Sequence, residues 1–392
     1  MQGEDLKKKV CTFIENNKDS LFKISKEIYD NPELAFKEYK ASKLLASELE
    51  EAGFKVELGV AELETAIQAI HPKESEGQNV AIIGEYDALP ELGHACGHNL
   101  IATAALGASL ALGSIKEELP GKLIFLGTPA EEGGGGKIFM INAGLFRDID
   151  AAMMFHPSAS YTVTGRGGLA VTEVKIEFFG KSSHASGSPE KGINALDAVI
   201  QTFNGINALR QHITSDARIH GIITHGGIKP NIVPEYAAAS FYVRALDDDY
   251  CEDLIKKVEN CAKGAALSTG AELKFERVGH SYRSRKANLT LGKAFEENLK
   301  ILDEPIVPIP PNSGLGSSDI GNVSHEVPTI HPYIAIAQEG VAGHSREFAK
   351  ASISEKGQQK MLVAAKALAM TAIDVFTNIE LVEKMKREFE KK

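Results

Sequence analysis

Residues 80–87 read VAIIGEYD, and residues 122–130 read KLIFLGTPA. Each is a short apolar run closed by turn-forming residues, the pattern of a strand buried on both faces. Between them, Gly97 to Ile115 is Ala-rich and helical, EEGGGGK at 131–137 is a loop, and AAMMFHP at 151–157 is a third strand. Strand, helix, strand, helix, strand predicts a largely parallel sheet covered by helices. Upstream, Leu6 to Leu49 alternates apolar and charged positions at helical spacing, with Asn31-Pro32 breaking it into two helices.

A different pattern starts near Gly168. VTEVKIEFFG alternates as a strand, Ile193 to Ile213 is helical, and RIHGIITHG and EYAAASFYVRAL are strands joined by GIKPNIVP. Asp253 to Leu267 is helical and ELKFERVG is a strand. The order β-α-β-β-α-β is that of a ferredoxin-like α+β domain. After Ser284 the chain returns to helix and strand, with a long helix from Ser354 to about Phe376. The expected organisation is therefore one domain of residues 1–167 plus 285–392, interrupted by a second at 168–284. The final segment, EKMKREFEKK, reads as a solvated charged end.

A chain of 392 residues is long for one core, which agrees with two domains. With 43 basic and 53 acidic side chains the formal charge is −10, which argues against non-specific binding to nucleic acid or anionic membrane. The opening MQGEDLKKKVCTF lacks the apolar core of a signal peptide, and no run is long enough for a membrane helix. Cys11, Cys96, Cys251 and Cys261 have no disulfide-framework spacing. A reducing, cytoplasmic location is expected.

Chemistry concentrates at the strand ends, where α/β sheets place ligands. GHACGHN puts His94, Cys96 and His98 within five residues, and imidazole and thiolate suit zinc or manganese. Two structural histidines and a buried cysteine are the bland alternative. In TPAEEGGGG, Glu131 and Glu132 are adjacent, so one carboxylate can bind metal while the other faces a substrate water. A solvated acidic loop would look the same in isolation. His156 in FHP and His344 in VAGHSREF are isolated histidines, more often structural than ligating, and gain weight only by occurring with the others.

The motifs GEYDALP, GHACGHN, TPAEEGGGG, FHP, GKSSHAS and GHS, in this order over nearly the whole chain, resemble a family of dinuclear-metal amidohydrolases. It includes hippurate hydrolase, auxin-conjugate hydrolase, aminobenzoyl-glutamate hydrolase, carboxypeptidase G and aminoacylase. The match is to the subgroup in which Cys replaces a metal-bridging carboxylate. SSDIGNVSHEVPTIHP and HGGIKPNIVPEY point to its aminobenzoyl-glutamate hydrolase-like branch. The resemblance implies a metallopeptidase-type mixed sheet covered by helices, with the ferredoxin-like insert serving as a dimerisation lid. It implies two divalent metal ions, zinc or manganese, held by Cys96, His98, Glu132, His156 and His344. Glu131 would be the general base, and Asp87 would orient a ligand. Many relatives carry a ligating His where this chain has Glu85, so His98 is expected to supply that imidazole. Asn99 stands where the subgroup often has Asp.

In the small domain, Arg244 is the natural bidentate partner of a substrate carboxylate and Asn231 an additional donor. Read without the resemblance, Arg244 is a surface ion-pair residue. His220 would reach the scissile carbonyl of a neighbouring subunit in a homodimer or homotetramer, while His184 is structural and His212 and His225 face solvent. The expected reaction is hydrolysis of an amide in an N-acyl amino acid or dipeptide with a free carboxylate. The alternatives are a catalytically silent metal-binding homologue and a cysteine hydrolase built on Cys96.

Overall fold

The computed structural model describes residues 2–71, 75–307 and 315–391. The chain forms two compact units, one of Met1–Gly167, Arg285–Gly314 and Ser318–Lys392, the other of Gly168–Ser284 with Leu315–Ser317.

The larger unit begins with helices α1 (Gln2–Asn16), α2 (Lys18–Asp30) and α3 (Tyr39–Glu51). The break at Asn31-Pro32 is present, and Asn17 makes a further one. Next come β1 (Lys55–Leu58), β2 (Ile67–Ile70), β3 (Asn79–Glu85), α4 (His98–Ser114), β4 (Lys122–Thr128), α5 (Gly136–Asn142), β5 (Ala151–Met153) and β6 (His156–Ser158). The predicted third strand is thus two: the ladder stops at Met153, and β6 belongs to a separate pair.

The smaller unit contains β7 (Ala170–Phe179), α6 (Ala195–Leu209), β8 (Arg218–His225), β9 (Tyr236–Ala245), α7 (Asp248–Thr269) and β10 (Glu272–Tyr282). The larger unit resumes with α8 (Leu289–Ile301), α9 (Ile320–Val323), β11 (Thr329–Ile330), β12 (Tyr333–Ala335), α10 (Arg346–Ser352), α11 (Glu355–Thr377) and α12 (Ile379–Glu390).

In the larger unit the sheet order is β1-β2-β4-β3-β5-β11. β4, β3, β5 and β11 are parallel neighbours, whereas β1 and β2 form an antiparallel extension on β4. The sheet is therefore mixed. Helix α4 packs on β3 and β4 and is covered in turn by α1, α2 and α11. That position explains its composition: a helix apolar on every side is stable only when buried on every side, and nearly all of α4 is buried. The C-terminal ends of the four parallel strands lie side by side and lead directly into Glu131, Asp87, His156 and His331.

The segment EKMKREFEKK is not a solvated end. It lies mostly within α12, which buries Val382 and Met385. Asn288 Nδ2 donates to Met385 O at 2.9 Å, and the Glu388 carboxylate accepts from Leu289 N at 2.8 Å and Thr290 N at 2.9 Å. An acidic side chain here satisfies orphan N–H groups at the start of α8.

The smaller unit is an antiparallel sheet of order β10-β7-β9-β8 with α6 and α7 packed on it. Alternation decides its faces: Val174, Ile176 and Phe178 join Phe241 and Val243 in a core with Val199, Leu254 and Val258. Asn194 Oδ1 accepts from Leu196 N to cap α6, and Asp247 caps α7 through Tyr250 N. β8 is an edge strand, exposed at most of its positions.

Candidate active site

Asp87 follows β3 and is buried. Its Oδ1 lies 3.0 Å from His98 Nδ1, and its Oδ2 accepts from Glu132 N at 2.9 Å. One carboxylate therefore sets both the ring of His98 and the backbone of Glu132. Burial pushes the Asp87 carboxyl up, but His98, the Glu132 N–H and Lys137 outweigh it and hold it below the usual range.

His98 Nδ1 also faces Asp87 O at 2.9 Å, so its proton has two acceptors and the Nε2 lone pair is turned the other way. His156 has the same arrangement: Nδ1 donates to Pro157 O at 2.7 Å, and Nε2 faces Cys96 Sγ at 3.4 Å. Burial and the charge of His98 push His156 down to about 3, which keeps it neutral. Glu132 Oε1 makes no hydrogen bond and lies 3.4 Å from His344 Nε2 and 4.0 Å from His98 Nε2. His344 is half exposed and sits at φ 56°, a left-handed conformation uncommon for a β-carbon residue. Its N–H bonds to Ala95 O at 3.0 Å, tying the 344 loop to the cysteine loop.

Among the described residues, ligand atoms of Cys96, His98 and His156 lie within 4.8 Å of one another, as do those of Cys96, Glu132 and His344, and those of His98, Glu131 and Glu132. Cys96 belongs to two of these groups. His98 Nε2, Glu132 Oε1 and Glu85 Oε2 are buried without a hydrogen-bond partner. Orphaned buried polar atoms on convergent imidazole, thiolate and carboxylate groups fit divalent metal ions, which would satisfy them together.

Burial lowers the proton affinity of His98, but Asp87 and Cys96 raise it well above the ordinary imidazole range, while burial and Glu132 push the Cys96 thiol up. Both protons must leave when a metal binds. Zn²⁺ loading at pH 7 is expected to release protons, and Cys96→Ala about one fewer than the parent. Equal release in a weakly buffered titration would remove Cys96 from the metal's shell. A raised thiol whose neighbour His156 is tied to a carbonyl, with no orienting carboxylate, does not suit a cysteine nucleophile.

Glu131 follows Ala130, which is held at φ 60°. Burial and the carboxylates of Glu85, Glu132 and Asp319 hold Glu131 well above the usual carboxylate range. Behind it lies a network that sequence reading missed. The buried Lys137 ammonium pairs with Glu85 Oε1 and with Asp319 Oδ1 at 2.8 Å, and Lys137 N donates to Asp319 Oδ2 at 3.1 Å. Gly136 makes this turn possible, since a β-carbon there would lie 2.2 Å from Pro129 O. Glu85, noted only as a departure from relatives, thus has a lysine partner, and its Oε2 lies 3.6 Å from His98 Nε2. The other GHACGHN residues are structural: His94 Nε2 lies 3.0 Å from Ile28 O, and Asn99 Nδ2 donates to Ser25 Oγ at 3.1 Å.

A cavity of about 380 Å³ opens beside Cys96, His156 and His344, with Tyr161, Tyr333 and Phe348 among its walls. His220, Asn231 and Arg244 belong to the smaller unit. His220 is exposed on β8 with its ring 5.7 Å from that of Tyr242, and the Arg244 guanidinium lies 5.5 Å from the same Tyr242 ring. Arg244 Nη1 donates to Ser317 Oγ at 3.0 Å, while its Nε is buried without a partner. Asn231 is exposed, and its carbonyl accepts from Ala185 N at 3.0 Å.

This constellation at the strand ends of a mixed sheet is that of a metal-dependent hydrolase. Residues 81–367 match the model of Peptidase family M20/M25/M40. The chain belongs to this family and hydrolyses C–N bonds. It is 40% identical to the Xaa-Arg dipeptidase of Mus musculus, over 98% of this chain and 92% of that protein. It is 31% identical to a p-aminobenzoyl-glutamate hydrolase of Escherichia coli K12, over 96% of this chain and 93% of that protein. A dinuclear metal binding peptidase of the M20 family from Bacillus subtilis shares the fold, with a TM-score of 0.71 at 20% identity over 92% of this chain and 99% of that one.

Proposed function

We propose that the chain cleaves the amide bond of a dipeptide or N-acyl amino acid carrying a free carboxylate. Cys96, His98, Glu132, His156 and His344 would hold two divalent metal ions, zinc or manganese. The observation that carries this reading is a set of buried, orphaned ligand atoms with an additional carboxylate, Glu131, beside it. The metals supply Lewis acidity toward the carbonyl and acidify water. Asp87 keeps the proton of His98 on Nδ1. Glu131 accepts the proton of the attacking water and passes it to the leaving nitrogen. The cavity beside His156 receives the acyl or N-terminal portion against Tyr161, Tyr333 and Phe348.

Arg244, with a buried Nε lacking an acceptor, binds the substrate carboxylate, with Asn231 as an additional donor. The names of the relatives choose the test panel: Xaa-Arg dipeptides, p-aminobenzoyl-glutamate and hippurate, with zinc or manganese restored after chelation. Turnover of none of them would defeat the proposal. In an active enzyme, Arg244→Ala is expected to raise KM and lower kcat/KM by about 2–4 kcal/mol for acids but not for their amides. An unchanged preference for acid over amide would reject the assignment.

We also propose that two copies pair through β8. It is an edge strand with Ile222 66% exposed and Ile223 44% exposed, the kind of edge that otherwise invites aggregation. His220 on that strand would then serve the partner's carbonyl. Mixing inactive Glu131→Gln and His220→Ala chains is expected to regenerate intact sites; verified mixed dimers without activity would rule this out.

A further inference from the structure

We infer that His331 is a catalytic residue whose Nε2–H donates to the oxygen of the scissile carbonyl. This rests on the amide-hydrolase reading above. His331 follows β11, the strand beside β5, and Ile330-His331-Pro332 runs parallel to Phe155-His156-Pro157. Ile330 is in register with Met153, His156 N donates to Pro332 O at 2.8 Å, and the two imidazole rings lie 5.3 Å apart at 72°. His331 therefore stands at the same edge of the sheet as the ligand donors, next to one of them.

The tautomer decides what this ring can do. Arg285 Nη1 lies 2.5 Å from His331 Nδ1. A guanidinium has donors only, so Nδ1 must accept and the ring proton must sit on Nε2. Arg285 cannot easily turn away: it donates to Arg166 O at 3.1 Å, Gly167 O at 2.7 Å and the Tyr333 hydroxyl at 3.2 Å. His98 and His156 are arranged the opposite way, with Nδ1 facing oxygen acceptors and the Nε2 lone pair turned to the metal site. His331 presents a proton there instead, so it is a donor and not a ligand.

That donor has no acceptor. His331 is 3% exposed and its Nε2 has no hydrogen-bond partner. A buried unmatched N–H is costly unless something fills the position during function. A fixed neutral donor backed by a guanidinium suits an oxygen on which negative charge grows, and it requires no reorganisation as the reaction proceeds. A substrate oxygen next to the ligand His156 is the reacting carbonyl rather than the remote carboxylate.

The test uses metal-loaded enzyme. His331→Ala is expected to lower kcat on the order of 100- to 1,000-fold with KM and metal content nearly unchanged. His331→Gln, which restores an N–H donor, should recover part of the loss. In nitrogen NMR of histidine-labelled protein, His331 should remain the Nε2–H tautomer from about pH 6 to about pH 9, where a free imidazole titrates. Its Nε2–H signal should move when a phosphinic dipeptide analogue binds. Unchanged kcat, a rise in KM alone, metal lost in step with activity, or an Nδ1–H ring would each overturn the inference. A parent enzyme that turns over none of the panel would instead defeat the functional reading on which it stands.

Discussion

Glu131→Gln is expected to retain the metals and to lose about two to four orders of magnitude in kcat. The two adjacent glutamates are separated by what holds them. Glu132 is fixed through its own N–H to Asp87 and directs Oε1 between His98 and His344. Glu131 shares the His98 side of the site but also lies with Glu85 and Asp319, on the face away from Cys96 and His344 ligation. An amide at 131 preserves shape and removes the proton acceptor. Metal analysis beside single-turnover kinetics decides the matter: if metal content falls together with kcat, the roles of the two residues are exchanged.

Lys137→Met is expected to destabilise the larger unit by about 3–5 kcal/mol, because it leaves the Glu85 and Asp319 carboxylates buried without their cation. Burial drives Asp319 up to about 6 even with Lys137 opposing it. The ammonium is itself held protonated against burial by Asp319, Glu85 and Glu131. Removing the carboxylate charges as well, with Glu85→Gln and Asp319→Asn, should recover much of the loss, since the penalty comes from unpaired charge more than from the missing contact. Denaturant unfolding of the metal-free protein measures both. A single variant within about 1 kcal/mol of the parent would show that the network is not structural.

Both experiments turn on the boundary between what the sequence displays and what only the fold reveals. Cys96, His98, Glu131, Glu132 and His156 were legible because chemically distinctive residues follow recognisable strands. Lys137 was not: a lysine after four glycines looks like part of a solvated loop, and nothing local indicates that β3 and the Asp319 turn close over it. His331 was hidden for a similar reason, since its role depends on Arg285, far from it in sequence. The β-α-β-β-α-β order was readable from alternation in VTEVKIEFFG and the strands after it. The β1–β2 extension was not, because its strands are only four residues each. EKMKREFEKK misled because a helix that buries only Val382 and Met385 needs few apolar residues, and its backbone and Glu388 bonds to Asn288, Leu289 and Thr290 leave no compositional trace.

The interrupted layout also orders events during synthesis. Residues 168–284 are contiguous, so their sheet and core can close as soon as they leave the ribosome. The preceding 167 residues cannot finish, because α4 needs α11 to cover it and β5 needs β11 beside it. Until roughly residue 377 has emerged, the most apolar helix of the chain is held in an incomplete shell, the condition under which a nascent chain depends on chaperones. Stalled nascent chains ending before α11 should therefore resist protease over 168–284 and be cut within α4; protection of α4 at that length would show that the larger unit closes without its last layer.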